Sequence, residues 1–132
     1  MLTGISHVTI AVSDLERSLK FYTSVLGLEA KVKWATGAYL SAGDLWVCLS
    51  QGSTHAAEDY SHIAFAITES DFDSFAEQLD KLGVSKWQDN SSEGRSVYIL
   101  DPDGHKLEIH VGNLQTRLEA LQSKPYDGLV WF

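Results

Sequence analysis

The sequence predicts an α+β fold built from two tandem βαβββ modules. Three observations carry that expectation. A short pattern recurs: Ser6-His7 returns as Ser61-His62, 55 residues on, and Leu26-Gly27 returns as Leu82-Gly83, 56 residues on. Each copy opens with an alternating apolar and polar run, as a half-buried strand requires. Each then carries an amphipathic stretch that stops at a glycine. The modules are placed at approximately 4–51 and 59–112, with a helix and tail at 113–132, all in a single domain spanning 1–132.

The elements follow in order. The first strand contains His7, Thr9 and Ala11 on one face and Val8, Ile10 and Val12 on the other. Ser13 and Glu16 have the spacing of a capping box, in which each side chain bonds the other's backbone N–H. Leu15, Leu19, Tyr22 and Leu26 then form one helical stripe, closed by Gly27. Strands are expected at 29–34, 38–40 and 45–49, with the turn Ser41-Ala42-Gly43-Asp44 between the last two. The stretch around His55 reads as the linker. In the second copy, His62, Ala64 and Ala66 oppose Ile63, Phe65 and Ile67. Phe72, Phe75, Leu79 and Leu82 make the helical stripe and Gly83 the stop. Strands are expected at 84–87, 96–100 and 105–110, the last after the turn Asp101-Pro102-Asp103-Gly104. Leu114, Leu118 and Leu121 mark a short final helix.

Composition narrows the function classes. With 132 residues and 44% hydrophobic content, the chain can bury a real core. A formal net charge of −8 and a pI near 4.9 argue against nucleic acid or an anionic membrane as partner. No apolar run approaches the roughly 20 residues of a membrane span, and the N-terminus lacks the pattern of a signal peptide. The single cysteine, Cys48, has no internal disulfide partner. These features together suit the cytoplasm.

Strand parity then points to a site. If the bulky faces pack under helices, the remaining faces are small and polar, each with a histidine at the same point. In 105–110, Leu107 and Ile109 belong to the helix side, while Lys106, Glu108 and His110 belong to the other. Two imidazoles and a carboxylate are a common set for a divalent metal with open positions. Spacing alone leaves open whether His7, His62 and Glu108 are such a set or hydrogen-bonded structural residues.

The stretches "HVTIAVSDL", "GAYLSAGDLWVCLS", "DYSHIAF", "NSSEG", "YILDPDGHKLEIHVGNLQTRL" and "KPYDG" together resemble the vicinal oxygen chelate (glyoxalase and bleomycin-resistance) superfamily. More narrowly, they resemble the manganese-dependent fosfomycin-resistance glutathione transferases, the FosA type. The resemblance implies the paired-module fold as a domain-swapped homodimer. It also implies a Mn2+ site, with other divalent ions as alternatives, formed by the residues matching His7, His62 and Glu108. One chain would supply the first histidine and its partner the other two ligands. The implied reaction opens the oxirane of fosfomycin with the thiol of glutathione. Thr9 would hydrogen-bond the oxirane oxygen. Tyr98 and Arg117, with Gln88 and Ser92, would hold the phosphonate. The loop carrying Asn90, Ser92, Glu93, Gly94 and Ser96 would bind K+. Trp34, Tyr39, Trp46 and Cys48 would line the approach of the thiol, with Tyr39 aiding its ionisation.

Two departures stand out. Gln88 replaces the family's usual lysine, and Ser91 a frequent arginine. Lys86, with the parity of Gln88, and Arg95 are the nearby candidates to restore charge. His55, His105 and His110 match no family ligand. Competing readings are another enzyme of the superfamily (an epoxide hydrolase with Asp44 as base, an isomerase or a dioxygenase) and a non-catalytic drug-binding module.

Overall fold

Alternation and amphipathicity place the elements close to where the sequence puts them. The structure is a computed structural model describing residues 1–132. The order is β1 (His7–Val12), α1 (Leu15–Lys20), β2 (Glu29–Trp34), β3 (Gly37–Ala42), β4 (Leu45–Gln51), β5 (Ile63–Ala66), α2 (Glu69–Lys81), β6 (Lys86–Gln88), β7 (Ser96–Leu100), β8 (Lys106–His110) and α3 (Leu114–Ser123). A π-helical turn, Phe21–Val25, continues α1. Gly27 and Gly83 stop the first two helices with φ of 80° and 68°, a region that costs a residue with a Cβ.

Two four-stranded sheets repeat one topology, β1-β4-β3-β2 and β5-β8-β7-β6. The first strand of each pairs in parallel with the last, β1 with β4 and β5 with β8. The chain divides into two units. One holds residues 1–61 with 100–106, the other 62–99 with 107–132. The turn 101–104, read as part of the second module, therefore belongs to the first unit.

In the first unit Ile10, Val12, Leu15, Tyr22, Leu40, Val47 and Leu49 are buried. In the second, Phe72, Leu79, Ile99, Leu107 and Ile109 are buried. Each such side chain contributes about 1.5–3 kcal/mol by leaving water. The helix-facing parity is as expected, except that Leu82, at the end of α2, is exposed.

Two carboxylates organise the first unit. Asp101 is buried; its Oδ2 accepts from the Tyr22 hydroxyl at 2.7 Å and its Oδ1 from the N–H groups of Asp103 and His105 at 2.9 Å. Burial, and then the charge of Asp101, push the Tyr22 phenol far up, so it remains a donor. Asp103 accepts from Ser13 through both its backbone N–H and its hydroxyl, and pairs with Arg17 at 3.3 Å. Burial alone would raise the Asp103 carboxyl, but the Ser13 bonds and Arg17 outweigh it and hold the pKa below its ordinary value.

This arrangement corrects the expected helix start. Ser13 is spent on Asp103, so the cap of α1 is Asp14, whose side chain accepts from the Arg17 N–H at 3.0 Å. No helix is long and apolar enough to cross a membrane.

Candidate metal centre

Parallel pairing of β5 with β8 sets Ala64 opposite Glu108, and His62 lies two residues before Ala64 on the same face. His62 Nε2 stands 3.0 Å from Glu108 Oε2, with 19% and 10% of the two side chains exposed. The other carboxylate oxygen, Oε1, lies 2.6 Å from the Ser96 hydroxyl. An imidazole nitrogen just ahead of β5 and a carboxyl oxygen on β8 thus meet, both nearly out of water.

Aromatic rings wall this pair. The His62 ring lies 5.4 Å from Trp87 and 6.3 Å from Tyr98, and those two meet edge to face at 5.2 Å. Trp87 is anchored by its indole N–H, which donates to the Leu107 carbonyl. Tyr98 is buried, and burial is the first cause that raises its phenol pKa. It therefore keeps its proton, with Asn90 Oδ1 as acceptor at 3.4 Å.

Gln88 is opposite Tyr98 across the β6–β7 pair, but Lys86 is opposite Ile99, because a bulge falls between them. The bulge shifts register by one residue, and a one-residue shift exchanges faces. The expected shared parity of Lys86 and Gln88 is therefore corrected. Lys86 pairs with Asp80 of α2 at 2.7 Å. Arg95 stacks over Phe72 at 4.4 Å and pairs with Asp73 and Glu69. Both charges are committed to the helix side.

The loop at 90–96 is closed on itself. Asn90 donates to the Gly94 carbonyl at 2.8 Å and accepts from the N–H and hydroxyl of Ser92. Arg117, on α3, reaches this loop with contacts to Glu93 Oε2 at 3.2 Å, the Glu93 carbonyl at 3.2 Å and the Ser92 hydroxyl at 3.4 Å. It also donates to the Tyr126 hydroxyl. Its pKa is raised: partial burial lowers it, but Glu93 and Tyr126 prevail. Beside them is a cavity of about 500 Å³ lined by Ser91, Ser92, Arg117, Lys124 and Tyr126 among others.

The remaining candidates lie in the first unit, on one exposed face. His7 Nδ1 is 3.0 Å from the Ser6 hydroxyl, and its ring tilts over Trp46 at 4.4 Å. Tyr39 meets Trp46 at 5.1 Å and Trp34 at 4.8 Å. Thr9 is exposed, opposite buried Cys48 in the register. Asp44 is exposed in the β3–β4 turn. His105 is a structural residue, with Nε2 donating to the Ala11 carbonyl at 2.7 Å. The sequence reading missed Tyr126 as a neighbour of Arg117, and it missed the contact between His110 and Ser96. The only sequence signal for the latter was the parity that His110 shares with Glu108.

Two four-stranded sheets of one topology, each with its first strand paired in parallel to its last, define the paired-βαβββ class of protein. The chain belongs to the Glyoxalase/Bleomycin resistance protein/Dioxygenase superfamily, whose profile matches residues 4–109, and within it to the fosfomycin-resistance branch. It is 49% identical over 136 residues to the glutathione transferase FosA of Serratia marcescens, spanning 99% of this chain and 96% of that one. Among solved structures, the fosfomycin resistance protein FosX of Mesorhizobium loti superposes with a TM-score of 0.77 at 40% identity, covering 89% of this chain and 99% of that one. A mutant FosX of Listeria monocytogenes, complexed with Mn(II) and 1S,2S-dihydroxypropylphosphonic acid, superposes with a TM-score of 0.80 at 30% identity, covering 90% and 99%.

Proposed function

We propose that the protein is a metal-dependent glutathione transferase that opens the epoxide of fosfomycin by thiol addition. The observation that carries this reading is the 49% identity to a glutathione transferase over nearly the full length of both chains.

The residues fit a divalent ion, and Mn2+ is the ion proposed. His62 and Glu108 already converge, and Ser96 holds the carboxylate oxygen that faces away from His62. Within the chain, no group of three or more His, Cys, Asp or Glu side chains is arranged to hold a metal ion. A pair is an incomplete set for such an ion. In this proposal the partner subunit's His7 completes it, which makes the protein a homodimer with exchanged ligands. When bound, such an ion would supply Lewis-acid chemistry at the oxirane oxygen.

The chain's own residues do the rest. The thiol of glutathione gives up its proton, its sulfur forms the new C–S bond as the C–O bond breaks, and the released oxygen takes up one proton in return. Thr9 hydrogen-bonds that oxygen. Tyr98, protonated through burial, donates to the phosphonate. Arg117 suits the same anion because its planar fork gives paired contacts, and it exchanges contacts with Ser92 or Tyr126 to do so. Tyr39, beside Trp46, faces the thiol. In the loop, K+ would take the Glu93 and Gly94 carbonyls now held by Arg117 and Asn90. Free Cys48 and a thiol co-substrate fit a reducing cytoplasm.

The test is mass spectrometry of product from fosfomycin and glutathione, with and without Mn2+ and K+. A thioether adduct formed only with Mn2+ and faster with K+ is the expected result. A diol formed regardless of thiol would make the protein a hydrolase, and no product under any condition would leave a binding module.

A further inference from the structure

We infer that His110 is a positioning residue for the metal-binding carboxylate, acting through Ser96; this rests on the metal reading of His62 and Glu108. The Ser96 hydroxyl lies 2.6 Å from Glu108 Oε1 and 2.6 Å from His110 Nδ1. A hydroxyl has one proton to give and lone pairs to receive. The hydroxyl donates its proton to Glu108 Oε1. The His110 contact must then run the other way, from Nδ1–H to the Ser96 oxygen. His110 Nδ1 also lies 3.5 Å from Oε1 itself, beyond good hydrogen-bond length, against 2.6 Å to Ser96; His110 therefore orients Ser96, and Ser96 holds Oε1, which turns Oε2 toward His62.

The seat of the His110 ring supports this role. A Cβ on Gly94 would come within 2.8 Å of its Cε1 and 2.4 Å of the Val111 carbonyl, and a Cβ on Gly112 within 3.0 Å of its Nε2. Both glycines have positive φ, 78° and 131°. The Val111 N–H also donates to the Arg95 carbonyl at 2.9 Å. The ring is therefore clamped between the end of the 90–96 loop and the entrance to α3, with its Nδ1 side aimed at Ser96. Such outer partners of a ligand change metal affinity about 10–100-fold when lost.

Two substitutions separate positioning from packing. His110→Phe keeps the ring and removes the donor. His110→Asn sets an amide N–H near the Nδ1 position and gives up the ring. Mn2+ affinity is measured by electron paramagnetic resonance titration, and thermal midpoint on the metal-free protein. The expected result is that Mn2+ affinity falls about ten-fold or more in the phenylalanine variant and recovers in the asparagine variant, while the thermal midpoint ranks them in the opposite order. Ser96→Ala should match His110→Phe in affinity, and the double variant should be no worse than either. Unchanged affinity in His110→Phe, or losses that follow the thermal midpoint, would overturn the inference. If the unaltered protein binds no Mn2+, the metal reading itself fails.

Discussion

The two units carry the same strand plan but treat their repeat-equivalent histidines differently. His62 faces a buried carboxylate, whereas His7 sits exposed with a hydroxyl and an indole for neighbours. The register explains the difference. Ala64 pairs with Glu108 on β8, and its equivalent, Thr9, pairs with Cys48 on β4. One sheet has a carboxylic side chain where the other has a small, weakly polar thiol. The tyrosines facing the bulged edge strands diverge in the same way: Tyr98 is 3% exposed and Tyr39 38%. One half thus holds a histidine and a carboxyl group in contact. The other has a lone histidine on an aromatic face, which the proposed site takes as its third ligand.

The sharpest way to break this comparison is to delete a ligand from each half. Glu108→Ala and His7→Ala should each weaken Mn2+ binding by more than the roughly 100-fold upper range of outer-partner losses. Mixing the two inactive chains should restore about a quarter of the activity, because half the dimers are mixed and each mixed dimer holds one intact site of two. A mixture that forms heterodimers and stays inactive would return all three ligands to one chain.

Next in size is the carboxylate that organises only the first unit. Asp103→Ala should cost about 1–2 kcal/mol in denaturant unfolding, since the Ser13 and Arg17 donors are exposed and can turn to water, while buried Ser18 loses its acceptor. The pH dependence has a definite sign. The folded pKa of Asp103 is depressed, so its contribution is complete above the unfolded value of about 4 and is lost as pH falls through the folded one. Stability curves of the two proteins should therefore converge in acid. Parallel curves would mean that Asp103 is not the titrating group.

Gln88 tests the second unit. Lys86 and Arg95 pair with Asp80, Asp73 and Glu69 on α2. Gln88→Lys adds a charge beside the proposed phosphonate site, where a charge-assisted bond exceeds a neutral one by about 1–2 kcal/mol. A KM for fosfomycin lower by roughly ten-fold is expected, read by steady-state kinetics at saturating glutathione. No change would argue that this pocket is shaped for another anion.

The smallest effect belongs to Cys48. Cys48→Ala should cost about 1 kcal/mol of stability and leave Mn2+ affinity unchanged. A loss of affinity would make the thiol a ligand and erase the contrast with Glu108.

By itself the sequence determined the repeat, the helix stops at Gly27 and Gly83, the strand faces, and the set His7, His62 and Glu108 as candidates. These follow from period-two alternation and left-handed glycine geometry, which act over a few residues. Only the tertiary structure decided which long-range partner claims each polar group. Ser13 left its own helix for Asp103, ninety residues away. A bulge put Lys86 on the opposite face from Gln88. The turn at 101–104 joined the first unit, and His110 met Ser96. The physical reason is that a polar group bonds whichever partner folding brings within reach, and that depends on how the strands pair in space.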